Sequence, residues 1–133
     1  SGGAGQRRGG TGQCMEVGAV EGHEFDISAM FDRVDHPAKG RHGGQSGAPT
    51  TIARSDGVEM RGKGKQFVPH GARVVMEFPG GGGYGAAKDR DPALVKRDLA
   101  HGLISPEVAA RDYGLSEADI TAVQEAVRTG SEE

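Results

Sequence analysis

The chain of 133 residues has no tryptophan, only two tyrosines and four phenylalanines, and a single cysteine, Cys14. One cysteine excludes an internal disulfide framework and fits a reducing compartment, so a cytoplasmic location is expected. No apolar run approaches the roughly 18 residues that a bilayer-crossing helix needs, and no secretory leader is visible; no membrane partner is expected. Basic excess is missing as well. Sixteen Lys and Arg against 19 Asp and Glu leave a formal charge of −3, which argues against a general nucleic-acid binder. Hydrophobic residues make up only 35%, against about 45–50% in typical domains when glycine is counted with them. Glycine takes their place, with 24 residues. It adds little burial and costs backbone entropy on folding. A domain made this way would be marginal alone, so surface that packs against something else is expected. The opening "SGGAGQRRGGTGQ", which starts on serine, reads as a piece of a longer protein.

The periodicity that is present changes character along the chain. "QCMEVGAV" (13–20) predicts a strand. "EFDISAMF" places Phe25, Ile27, Ala29 and Phe31 on one face, the pattern of a half-buried antiparallel strand. The long loop from Asp32 to Pro49 has too little apolar content to be an element of its own, and loops of that length are usually functional or packed against a partner. "TTIARSDGVEMRGKGKQF" reads as a hairpin turning at Asp56-Gly57, with Gly62 and Gly64 suggesting a bulge or close backbone approach. A turn at His70-Gly71 leads to a strand with Val74, Met76 and Phe78 on one side. Then the period becomes helical. Asp91-Pro92 and Ser105-Pro106 are helix starts, and Gly102 and Gly114 are stops. Ser116 caps a third helix, with Asp119 three residues on and Leu115 placed to staple onto Ile120; Gly130 ends it. The expected fold is therefore mainly β with an α tail. An antiparallel, sandwich-like region occupies 1–79, a glycine linker 80–90, three short helices 91–130, and 131–133 are disordered.

Chemistry-bearing motifs are sparse. Gly80, Gly82 and Gly85 satisfy G-x-G-x-x-G, but no helix begins inside the motif to face a pyrophosphate. Ala86 follows Gly85 where a phosphate loop has lysine, and Lys88 comes two places late. The glycines read better as a crossing where backbones approach without side chains. Asp32, Asp35, His36 and His42 are metal-capable residue types, though in no compact ligand spacing, and no metal is expected in this chain. Cys14, in a predicted strand with no base nearby in sequence, is expected to be a buried structural thiol. "RRGG" (7–10) is one copy of an arginine–glycine pattern, poor support for RNA binding in an acidic chain.

Taken together, three blocks resemble the hydantoinase B/oxoprolinase family: "GGAGQRRGGTGQ", "MFDRVDHPAKGRHGGQSGAP" and "PGGGGYGAAKDRDPALVKRDLAHGLISPEVAARDYGL". They occur in the family's order, and the last is similar to its C-terminal signature; on residues 116–133 the resemblance is silent. The resemblance implies a B-type subunit that works with an A-type, ATP-binding subunit to open cyclic amides such as hydantoin or 5-oxoproline. Related complexes carboxylate ketones, an alternative that stays open here, as does a non-enzymatic binding or scaffold module. ATP and a divalent metal are implied for the whole enzyme and neither for this region, whose partners would be the remainder of its own subunit and the A-type subunit. No catalytic residue is identified. Gly80, Gly81, Gly82, Gly83 and Tyr84 are candidates to line a site, and Arg7 and Arg8 to contact an anion.

Overall fold

Five short strands precede three helices in the computed structural model, which describes residues 2–130; the expected disorder over 131–133 lies outside them. Strands β1 (Gln13–Gly18), β2 (Phe25–Met30), β3 (Thr51–Arg54), β4 (Lys63–Val68) and β5 (Arg73–Phe78) form two antiparallel sheets, β1-β5-β3 and β2-β4. The register follows the alternation in the sequence: Met15 faces Met76 across β1 and β5, and Ala29 faces Gly64 across β2 and β4. Ile52, Val68, Val74 and Met76 from the two sheets share one buried core with Met60, flanked by Phe25, Ile27, Phe31 and Phe78. The sandwich-like expectation therefore holds.

Two expectations are corrected. The hairpin over 50–67 is rudimentary. Arg54 N–H bonds Val58 O and Met60 N–H bonds Ile52 O around the 55–57 turn, but the strand that follows leaves to pair with β2. Phe31 N–H bonds Gly62 O, and Gly64 takes a left-handed φ of 92°, so the chain is redirected where glycine permits it. Cys14 is exposed rather than buried, as is every residue of β1 among the described residues.

The helices form as their signals direct. Asp91 accepts from Ala93 N–H at 2.9 Å, Ser105 from Val108 N–H at 3.3 Å, and Ser116 from Asp119 N–H at 3.2 Å, caps that contribute about 1 kcal/mol each. They open α1 (Pro92–Ala100), α2 (Pro106–Tyr113) and α3 (Glu117–Thr129). Val95, Leu99, Ala109, Tyr113, Leu115 and Ile120 form a second core, and Ala4 from the amino-terminal segment is buried in it. Leu115 and Ile120 thus share one core, in keeping with the staple.

Candidate functional site

Between the two cores, the three glycine-rich stretches interlock through their backbones. Gly3 N–H donates to Gly81 O, Gly81 N–H to Gly10 O, Gly83 N–H to Gln45 O, Gln45 N–H to Ala4 O and Arg41 N–H to Gly83 O, all at 2.7–3.0 Å. The approach is so close that a Cβ on Gly80 would overlap Gly10 O. One on Gly82 would overlap Lys39 O, and one on Gly83 would overlap Ala4 O. Gly81 differs, its nearest neighbour being 3.6 Å from such an atom. The glycine run is a close crossing of backbones, as its sequence context suggests. Of the N–H groups that a phosphate would need, those of Gly81, Gly83, Tyr84 and Gly85 already donate to Gly10, Gln45, Arg7 and Arg41.

The lattice is tied to the helices by buried charge. Asp98, 2% exposed on α1, accepts from Arg8 Nε at 3.2 Å and from Arg90 at 2.7 Å. Arg8 also donates to Gly9 O, and Arg90 to Gln6 O at 3.0 Å. Arg8 therefore turns inward and holds the chain's own carboxylate. Two buried polar atoms stand beside this latch without a bond of normal geometry, Arg90 Nε and the Tyr113 hydroxyl, which faces the Gly5 backbone. Burial raises the Tyr113 pKa above its ordinary 10.0. Gln45 adds a second tie, donating to Asp112 at 3.2 Å; the Arg111 guanidinium, and then Gln45, hold that carboxyl below its usual range.

Arg7 goes the other way. Its backbone exchanges both hydrogen bonds with Tyr84 at 2.9 Å, while Arg41 pairs with Tyr84 from the opposite side. Residues directly opposite in such pairings project to one face, so Arg7, Tyr84 and Arg41 stand in a row. Tyr84 is 49% exposed, and the His42 ring lies 4.8 Å from its ring. His42 reaches it with a left-handed φ of 49°, a conformation non-glycine residues adopt at a cost. Among the described residues, no carboxylate or hydrogen-bond partner meets the side chain of Arg7 or Arg41.

The metal-capable residues are not gathered. Asp32 forms an ion pair with Lys63, whose hydrogen bond holds the carboxyl below its usual range, and His42 is spent on Tyr84. Among the described residues, no group of three or more His, Cys, Asp or Glu could hold a metal ion. An open groove of about 500 Å³ lies along Phe31, Asp32, Arg33, Thr50, Phe78 and Gly80, with no convergent set of reactive side chains.

The sequence singled out Arg7 as a possible anion contact, Tyr84 to line a site and His42 as metal-capable, without bringing them together, and it did not single out Arg41, Arg90 or Asp98. Asp98 carried a signal: it shares the helical face of Val95 and Leu99, where a carboxylate needs a buried partner.

The arrangement defines a glycine-latticed β region clamped to a helical tail. The hydantoinase B/oxoprolinase family model matches residues 1–87, and the chain belongs to that family. An uncharacterized protein of Methanocaldococcus jannaschii is 34% identical over 116 residues, covering 85% of this chain and 20% of that protein. The beta subunit of the caprolactamase of Pseudomonas jessenii is 29% identical over 123 residues, 86% of this chain and 21% of that protein. A Pseudomonas protein named as the B-type subunit of a D-/L-hydantoinase is 29% identical over 121 residues, 86% and 20% respectively. The chain spans about a fifth of the length of these relatives. No helix among the described residues is long and apolar enough to cross a membrane.

Proposed function

We propose that the chain is a packing and assembly region of the B-type subunit of an ATP-dependent cyclic-amide hydrolase working in the cytoplasm. One observation carries this reading. The three blocks that hold the family resemblance meet in space and hydrogen-bond one another through their backbones, at approaches too close for a Cβ at most of the crossing glycines, which supports an architectural role for those glycines. Caprolactam and hydantoin, named in two relatives, are both cyclic amides, which supports ring opening as the reaction. Water adds to the amide carbon, the C–N bond breaks, and a carboxylate and a freed nitrogen result. On this reading ATP and metal are held outside this chain. Large apolar side chains left bare, Met30 at 81% and Phe67 at 54% exposed, are suited to packing against the rest of the subunit.

The test is to produce the complete subunit with its A-type partner and follow ring opening of hydantoin, 5-oxoproline and caprolactam with and without ATP. Turnover of one of them that requires ATP is the expected outcome. The absence of ATP-dependent turnover on all of them contradicts the reading.

A further inference from the structure

We propose that Asp56-Gly57 is this chain's intrinsic site of backbone isomerisation, and that Arg54 guards it by holding both of the groups that would react.

The sequence places the site. The chain has no asparagine, and of its aspartates only Asp56 is followed by glycine. In such a pair the glycine nitrogen attacks the aspartate side-chain carbon. The bond from Gly57 N to Asp56 Cγ forms, the nitrogen gives up its proton, the carboxyl gives up a hydroxyl, and the two leave as water. Water then opens the cyclic imide at either carbonyl. One opening restores aspartate; the other routes the main chain through Cβ as isoaspartate. Glycine hinders the attack least, because it has no Cβ.

The fold calls for this pair all the same. Gly57 has a φ of 86°, in the left-handed region that favours glycine. Asp56 accepts from Val58 N–H at 3.3 Å, as aspartate does in turns. Around the turn, Arg54 N–H bonds Val58 O at 2.8 Å and Met60 N–H bonds Ile52 O at 3.0 Å. An extra backbone atom at residue 56 would break that register. A reactive dipeptide is thus built into the structure.

Arg54 acts on both reactants. Its guanidinium forks onto the carboxylate, Nε to Oδ1 at 3.0 Å and Nη2 to Oδ2 at 2.6 Å. Its own carbonyl accepts the Gly57 N–H at 2.9 Å, so the nucleophile is tied into the turn. The fork is the first cause that holds the Asp56 carboxyl below its usual range, with Val58 N–H a lesser one. An ionised carboxylate loses its oxygen poorly, and the fork keeps it ionised. Arg54 is itself anchored in β3, opposite Val74 of β5. The neighbouring Arg73, joined to Ser55 through the backbone, directs its guanidinium to Glu16 at 3.2 Å instead.

The experiment incubates the complete subunit across about pH 3 to pH 7, the range in which a carboxyl titrates. Isoaspartate at residue 56 is read by electron-transfer mass spectrometry of the peptide that contains it, and the same subunit unfolded in urea gives the unguarded rate. The variants are Arg54→Gln, Arg54→Lys, and Arg73→Gln as a control; circular dichroism confirms that each folds. Near neutral pH, Arg54→Gln is expected to form isoaspartate about tenfold faster than the unsubstituted subunit. Arg54→Lys, which keeps the charge without the fork, is expected to fall between them, and Arg73→Gln to match the unsubstituted subunit. The pH below which the rate levels off is expected to be higher in Arg54→Gln, because its carboxyl is protonated more readily. A loosened turn alone would raise the rate at every pH and leave that point where it is, which overturns the inference. Equal rates in Arg54→Gln and the unsubstituted subunit also overturn it, as does a folded subunit that isomerises as fast as the unfolded one. Should Arg54→Gln fail to fold, Arg54→Lys decides: a rate equal to that of the unsubstituted subunit overturns the inference.

Discussion

The carboxylate of Asp98 on α1 accepts a hydrogen bond from the Arg8 guanidinium at 3.2 Å across ninety residues of sequence. Arg90 reaches the same oxygen at 2.7 Å. This contact locks the amino-terminal glycine segment onto the helical tail. Asp98→Ala leaves two largely buried guanidiniums without a counter-charge and is expected to cost about 3–5 kcal/mol. Urea denaturation of the chain measures it; a loss below about 1 kcal/mol would make the latch incidental.

Within the four-glycine run, neighbouring substitutions are expected to differ sharply. Gly83→Ala forces a methyl group onto Ala4 O, a backbone atom that cannot rotate away, and is expected to destabilise by about 3 kcal/mol or more. Gly81→Ala meets nothing closer than 3.6 Å and is expected to stay within about 0.5 kcal/mol of the unsubstituted chain. Equal melting temperatures for the two variants would contradict the close-crossing account.

Tyr113 makes stability depend on alkaline pH. Its folded-state pKa lies above the unfolded value because burial disfavours the phenolate. The contribution is fully present below about pH 10 and is lost as pH rises through the raised value. Tyr113→Phe removes that loss. Since the hydroxyl is buried without a bond of normal geometry, the change is expected to leave neutral-pH stability equal or up to about 1 kcal/mol higher. Denaturation series at pH 8 and pH 11 on both proteins check this.

The helical tail was legible in detail because its signals are local. Asp91, Ser105 and Ser116 cap as read, and Gly114 and Gly130 take the left-handed stop conformation. The alternation of β2 and β5 gave the core face correctly for the same reason. Strand partnership was less legible: Asp56-Gly57 marks a turn, but nothing local says that Lys63–Val68 returns to β2. Exposure of Cys14 depends on what covers β1, which is a property of tertiary packing. The candidate site divides similarly. Arg7, Tyr84 and His42 stood out individually, while their meeting, and the entry of Arg41, follow from a backbone lattice whose glycines carry no pattern of side chains to read.

The central claim is that this region assembles the enzyme and supplies none of its chemistry. Its most direct test is kcat per assembled complex, in the complete two-subunit enzyme, for Asp32→Ala, Asp35→Ala, His36→Ala and His42→Ala, the residues here best suited by type to ligate metal or move protons. The account predicts that each keeps kcat within about threefold, because a general acid or base contributes about 10²- to 10⁴-fold and these side chains supply none of that. A fall of a hundredfold or more in any of them, with assembly intact, would contradict it.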